Sequence, residues 1–332
     1  MNNITKNQLA AMLLITDAFT LFCFMGKMSL VTVLGLSVGI VLQFIMAIPV
    51  ICLGGEKSKW ENWFYLVYLI MWGGLLFRMQ WNASKIIYIP YENSGGIWGK
   101  LLISELIALV CLYISSTGMK SLARSSLIAA AVGAVCLLVA AISAAADMNW
   151  KNLTRADSGR SFLDELLTGF VLSGGLGSFA VLLKMTKGHR LKDSIGYFIG
   201  KIVLTAVVTV TAVLVAGGIM KVVDFPVITA AQLSQPFASQ RIDSLFLIVF
   251  AIFAVFSIAV QMTSAAYIIG ELFPSFTKYR SSCSLILMIG AAFLLSKVPP
   301  YSTAIAIAVI AAFFAVPLIK LICLKLKGEK LC

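Results

Sequence analysis

Ten stretches of mostly apolar residues, each long enough to cross a bilayer, govern what this chain can become. They run approximately over residues 8–26, 28–53, 62–82, 100–118, 124–147, 163–184, 197–219, 242–268, 281–297 and 301–324, with short polar clusters between them. A spanning helix needs roughly 20 such residues. The chain is 60% hydrophobic and only 12% charged over 332 residues, well outside the range of soluble globular proteins. The expected fold class is an all-α integral membrane protein of ten transmembrane helices, embedded in the lipid bilayer as a single domain over residues 1–332. The loops are too short to form a separate soluble domain.

The formal charge of +12 does not mark a nucleic-acid binder, because the basic residues sit in short loops rather than on one soluble face. Topology accounts for them. With the amino terminus inside, fifteen Lys and Arg fall on the cytoplasmic side, among them the run Lys184, Lys187, Arg190 and Lys192. Ten fall on the other side, Arg78 and Arg241 included, and Lys201 alone is left within a span. The positive-inside rule then places both termini in the cytoplasm. The seven cysteines show no paired spacing and imply neither disulfides nor a metal site. The first span lacks a small-residue cleavage site and reads as a retained helix.

Ten spans divide into two sets of five, over about residues 8–147 and 163–324, and an odd number per set makes the second set enter the membrane from the opposite side. This is the plan of an inverted repeat, in which the first helix of each half is broken at a midplane ligand site. Those helices are here spans 1 and 6. Span 6 carries SGGLGS, residues 173–178, near its middle, and each glycine weakens a helix by about 1 kcal/mol relative to Ala. A break there leaves backbone groups that protein, ligand or water must satisfy. Ser173, Gly174, Gly175, Gly177 and Ser178 read equally as a ligand site or as a smooth strip for a neighbouring helix. Span 1 places Asp17 at its centre, where a carboxylate costs roughly 3 kcal/mol on insertion scales. It either faces a binding site at the depth of SGGLGS or contributes a packing hydrogen bond through Thr16, Thr20 or another helix.

Other polar residues within spans carry weaker signals. Lys201, near the end of span 7, reads as snorkelling to the interface, as does Glu105 at the end of span 4. Gln43 and Gln261 read as interhelical hydrogen-bond partners, and a Gln261 facing the bundle interior could contact a ligand as well. Tyr68, Met71 and Trp72 either line a cavity or pack. His189 stands in the basic loop GHRLKDS with no acidic or thiol cluster around it. After span 7, MKVVDFPVITAAQL predicts a short helix that starts near Asp224, Phe225 and Pro226, either a lid or gate over the central site or an interfacial segment.

Residues 224–275, DFPVITAAQLSQPFASQRIDSLFLIVFAIFAVFSIAVQMTSAAYIIGELFPS, carry an FP followed by apolar residues, then Arg241, Asp243, Leu245 and Phe246 at the entry to a long helix. This region, with the opening ITKNQ, resembles the spore-germination B subunits, the permease-like component of nutrient germinant receptors. That family is similar to permeases of the amino acid, polyamine and organocation superfamily. The resemblance implies a LeuT-like 5+5 inverted repeat with helices 1 and 6 broken, in the inner membrane of a bacterial spore. It also implies a small nutrient ligand, often an amino acid, and partnership with an A subunit and a lipoprotein C subunit, without covalent chemistry or a cofactor. Span 1, ITDAFTLF, departs from the family pattern in having no Gly or Pro, and span 6 lacks an acidic residue after its glycines. If span 6 is broken, its exposed N–H groups can hold a ligand carboxylate while Asp17 holds the ammonium. A proton- or sodium-coupled amino-acid transporter is the alternative function, and a structural subunit with a decayed pocket is a third. No catalytic pair, cofactor motif or metal cluster points to an enzyme.

Overall fold

The computed structural model describes residues 4–53, 59–87, 92–155, 159–186, 190–233, 242–298 and 303–326. His189, Lys57, Lys187, Arg241, Lys327, Lys330 and Cys332 lie outside them. Within these residues the chain forms α1 (Lys6–Phe22), α2 (Leu30–Leu53), α3 (Lys59–Ile87), α4 (Glu92–Thr117), α5 (Met119–Ala144), α6 (Asn152–Arg155) and α7 (Phe162–Val171). There follow α8 (Gly174–Leu183), α9 (Arg190–Ala216), α10 (Pro226–Leu233), α11 (Ile242–Leu272), α12 (Arg280–Leu294), α13 (Thr303–Ile310) and α14 (Val316–Leu326). A π-helical turn, Ala311–Ala315, joins the last two. By length and hydropathy, Leu30–Leu53, Met119–Ala144, Ser194–Met220, Phe246–Leu272 and Arg280–Lys297 can cross a membrane, and the bent pair α7 and α8 makes a sixth such segment among the described residues. The expected spans 1, 3, 4 and 10 correspond to α1, α3, α4 and α13 with α14.

The break expected in span 1 is absent: α1 runs uninterrupted through Asp17 from Lys6 to Phe22. Its sequence explains this. Thr5 caps the start in a capping box with Gln8, and no Gly or Pro interrupts the run. The Thr16 and Thr20 hydroxyls bond back to the carbonyls of Met12 and Asp17, satisfying themselves without opening the helix. Span 6 does break, bending by 43° between α7 and α8. Ser161 and Asp164 form a capping box at the start of α7, so each half-helix has its own initiation signal.

The two half-helices pack on different neighbours. α7 lies chiefly along α2, and α8 lies against α1 and α11. The α2–α7 contact is a glycine seam: a Cβ on Gly39 would stand 2.6 Å from the Gly169 carbonyl carbon and the Phe170 nitrogen. One on Gly35 would stand 2.6 Å from the Glu165 Cβ. Gly35 and Gly39 have the small-xxx-small spacing that lets two membrane helices approach backbone to backbone. α1 is enclosed by α5, α8, α9 and α11, and from Ile15 to Phe24 every residue is buried. α5, by contrast, exposes Leu127, Ile128, Val135, Leu138 and Ile142, as a helix facing lipid should. Arg78 on α3 donates from Nη1 to the carbonyls of Leu295 and Val298, closing the end of α12 with a cation where the helix dipole favours one.

Candidate functional site

A break in mid-membrane raises an accounting question, because each freed N–H and C=O needs a partner. Here side chains from α1, α2 and α11, with the cap residue Ser173, supply them. Gln43 of α2 donates from Nε2 to the carbonyls of Gly169 and Phe170, 3.0 and 2.6 Å away, at the end of α7. At the start of α8, the N–H of Gly174 reaches Thr20 Oγ1 at 3.4 Å, that of Gly175 reaches Asp17 Oδ1 at 3.0 Å, and that of Leu176 reaches Ser173 Oγ at 3.2 Å. Gln261 of α11 donates to the Gly174 carbonyl at 2.7 Å. Ser173 is thus a helix cap, and Asp17 sits where the α8 dipole is positive.

Asp17 is also one half of a buried ion pair. Lys201 Nζ lies 3.2 Å from Asp17 Oδ1 and donates to Gln43 Oε1 at 2.8 Å and Ser173 Oγ at 2.5 Å. Tyr197, one turn before Lys201 on α9, donates to Asp17 Oδ2 at 2.5 Å, and Ser173 Oγ donates to Oδ1 at 3.1 Å. Lys201, Tyr197, Ser173 and the Gly175 N–H therefore converge on Asp17, an acceptor role suited to a carboxylate ion. The snorkelling expected of Lys201 is not what occurs: its side chain is 2% exposed, turned into the bundle by the charge it meets there.

The pairing expected of a ligand is made by the protein itself. The half-helix N–H group expected to hold a ligand carboxylate holds Asp17, and Asp17, expected to hold an ammonium, holds Lys201. Ser173, Gly174 and Gly175 join this cluster, whereas Ser178 turns back to the Gly175 carbonyl at 3.4 Å. The glycines serve packing at the same time: a Cβ on Gly175 would stand 2.7 Å from the Tyr197 hydroxyl oxygen, and one on Gly174 would stand 2.6 Å from Thr16 Cγ2. Gly177 faces Gln261 and Trp72 instead, on the far side of α8 from Asp17. A cavity of only about 10 Å³ adjoins the break, lined by Thr20, Trp72, Leu76, Val171 and Ser173 among others. That is about the room one water needs.

Asp224, Phe225 and Pro226 stand elsewhere. The predicted helix is present as α10, starting at Pro226 and packing on α9, α11 and α1. The Asp224 carbonyl accepts from the Gly26 N–H at 3.0 Å, beyond the end of α1, while Phe225 and Pro226 are buried. An 80 Å³ apolar cavity opens beneath it, between α5, α9 and α11, with no residue of the break in its lining. Among the described residues no three His, Cys, Asp or Glu side chains group as metal ligands would.

A sequence profile of the spore permease family, described as spore germination protein, matches residues 98–305, more than half of the chain. The chain belongs to the spore permease family. No curated protein sequence matches it. Its fold is shared with Mhp1, a nucleobase-cation-symport-1 family transporter: the closed conformation with bromovinylhydantoin bound is similar with a TM-score of 0.61 at 12% identity, over 93% of this chain and 74% of that one. The inward-facing conformation of Mhp1 gives a TM-score of 0.57 at 14% identity, over 95% and 77%. The spore permease thus shares its fold with Mhp1.

Ser173 offers a direct probe of this permease's break. Ser173→Ala removes the α8 cap, usually worth about 1 kcal/mol, together with a contact to each member of the ion pair. We expect a lower unfolding temperature in detergent by several degrees, and no change would show that the break is held without its cap.

Proposed function

We propose that this chain is the permease-like subunit of a spore nutrient germinant receptor. It binds a small germinant, amino acids being the class implied by the family, and relays the event to an A-type membrane subunit and a lipoprotein C subunit. The observation that carries this reading is the broken helix tied through one ion pair to α1, α2 and α9. A ligand that perturbs this cluster shifts several helices at once, which is what a relay requires. Asp17, Ser173, Gly174 and Gly175 are the residues assigned to sensing, with Gly177 and Ser178 on the same half-helix. Asp224, Phe225 and Pro226 form the entry to a gate segment. The chain is read as one ten-span domain of two inverted repeats, with both termini cytoplasmic, in the spore inner membrane.

The test is co-purification. The chain is tagged at its native locus and extracted gently from spore membranes. Recovery with an A-type subunit and a lipoprotein supports the receptor reading; recovery alone, with ion-driven uptake of amino acids by the purified chain, makes it a secondary transporter instead. Full germination by an Asp17→Asn strain would show that the pair has no sensing role.

A further inference from the structure

The ion pair leaves another part of the break chemically incomplete. Against Gly177 of α8, Trp72 Nε1 and Gln261 Oε1 are buried without a hydrogen-bond partner, as is Ser264 Oγ one turn beyond Gln261 on α11. Trp72 is 6% exposed, and Gln261 and Ser264 are fully enclosed. Buried polar groups are ordinarily paired, so an unpaired donor and acceptor in one place need a reason. They meet at Gly177. A Cβ there would stand 2.8 Å from Gln261 Oε1 and 3.0 Å from Trp72 Cδ1, the ring carbon bonded to Nε1. The donor and the acceptor therefore flank the same point, where the sequence supplies no side chain. Tyr68, one turn before Trp72, stacks on it at 5.9 Å with a 15° interplanar angle, giving an aromatic wall.

We infer that Trp72 and Gln261 recognise a neutral, planar ligand through a cis-amide edge. In such an edge a carbonyl oxygen and an N–H lie side by side, the first to accept from Trp72 Nε1 and the second to donate to Gln261 Oε1. Gln261 is oriented for this because its Nε2 is already committed to the Gly174 carbonyl. The two charges at the break neutralise each other, so the ligand has no need to bring its own. Its ring lies along the Tyr68–Trp72 wall, and Ser264, one turn beyond Gln261 on α11, offers a further hydroxyl. The cavity that Trp72 lines, of about 10 Å³, is too small for a ring and has neither Gly177 nor Gln261 in its lining, so the proposed ligand enters only as α3 and α8 separate. This inference rests on the proposal that the helix break is the germinant site, and it replaces the zwitterion with a cyclic amide.

The experiment is equilibrium binding of radiolabelled uracil to the full chain in lipid nanodiscs, with succinimide as a competitor. We expect saturable binding, competition by succinimide, and none by 1,3-dimethyluracil, which keeps the ring and carbonyls but has no N–H. Trp72→Phe keeps an aromatic ring and removes the donor, and should weaken binding about tenfold or more. Gly177→Ala places a methyl at the recognition point and should abolish it. Absence of saturable uracil binding overturns the inference, as does equal competition by 1,3-dimethyluracil or full affinity in Trp72→Phe. Saturable L-alanine binding with no uracil binding overturns it too, while leaving the germinant-site reading standing.

Discussion

Lys201→Met is expected to destabilise the folded chain by about 3–5 kcal/mol, the usual cost of removing one partner from a buried ion pair. The side chain is enclosed, so its loss leaves the Asp17 carboxylate without a countercharge and Gln43 Oε1 without its donor. Asp17→Asn should do comparable damage by stranding the ammonium. The double variant Asp17→Asn with Lys201→Met removes both charges, and replacing a whole buried pair by neutral groups is often close to neutral in stability. Recovery of most of the lost unfolding temperature in the double variant, measured on detergent-solubilised protein, is therefore the expected signature. Single variants that unfold at the wild-type temperature would mean that Asp17 and Lys201 do not pair.

The next largest effect is expected at the glycine seam. Gly39→Ala places a methyl against Gly169 and Phe170 backbone atoms that have no rotamer by which to move aside. Over-packing of this kind costs about 1–3 kcal/mol. The consequence reaches the break, because Gln43 lies one turn further along α2 and holds the last carbonyls of α7. Forcing α2 away from α7 strips those carbonyls of their donor. Gly39→Ala should therefore lower stability more than Gly290→Ala, where an added Cβ meets nothing within 4 Å. Equal unfolding temperatures for the two would contradict the seam.

Local rule-breaking made half of the site legible. A carboxylate in an apolar helix and three glycines in another are inconsistent with their surroundings, and such inconsistencies collect at functional places. Asp17, Ser173, Gly174 and Gly175 do come together. Lys201 reads as snorkelling because a lysine near the end of a span ordinarily reaches the interface, and Tyr197 gives no signal because a tyrosine is ordinary anywhere in a membrane helix. Their spacing of four residues, which puts both on one face of α9, was the available signal. Gln43 and Gln261 were read as links between helices, which is correct in kind. What periodicity cannot show is that Gln43 ends on the carbonyls freed at the end of α7 and Gln261 on the first carbonyl of α8. The break expected in span 1 came from the repeat plan, and the absence of Gly or Pro from ITDAFTLF was the better guide.

The short extended segment just before α1, Ile4 and Thr5, has a mechanical consequence. Ile4 is bridged to Thr186, and its N–H bonds to the Met185 carbonyl at 3.0 Å, just past the end of α8. Ile4, just ahead of α1, is thus tethered to the half-helix that carries the glycines, while α1 runs on without interruption to Asp17. The two helices that frame the break form a closed loop of linkages, joined at one end by backbone and at the middle by a carboxylate. A twist of α8 is passed through Ile4 to α1, which makes the entry to α1 both a lever and the natural position for a reporter of motion.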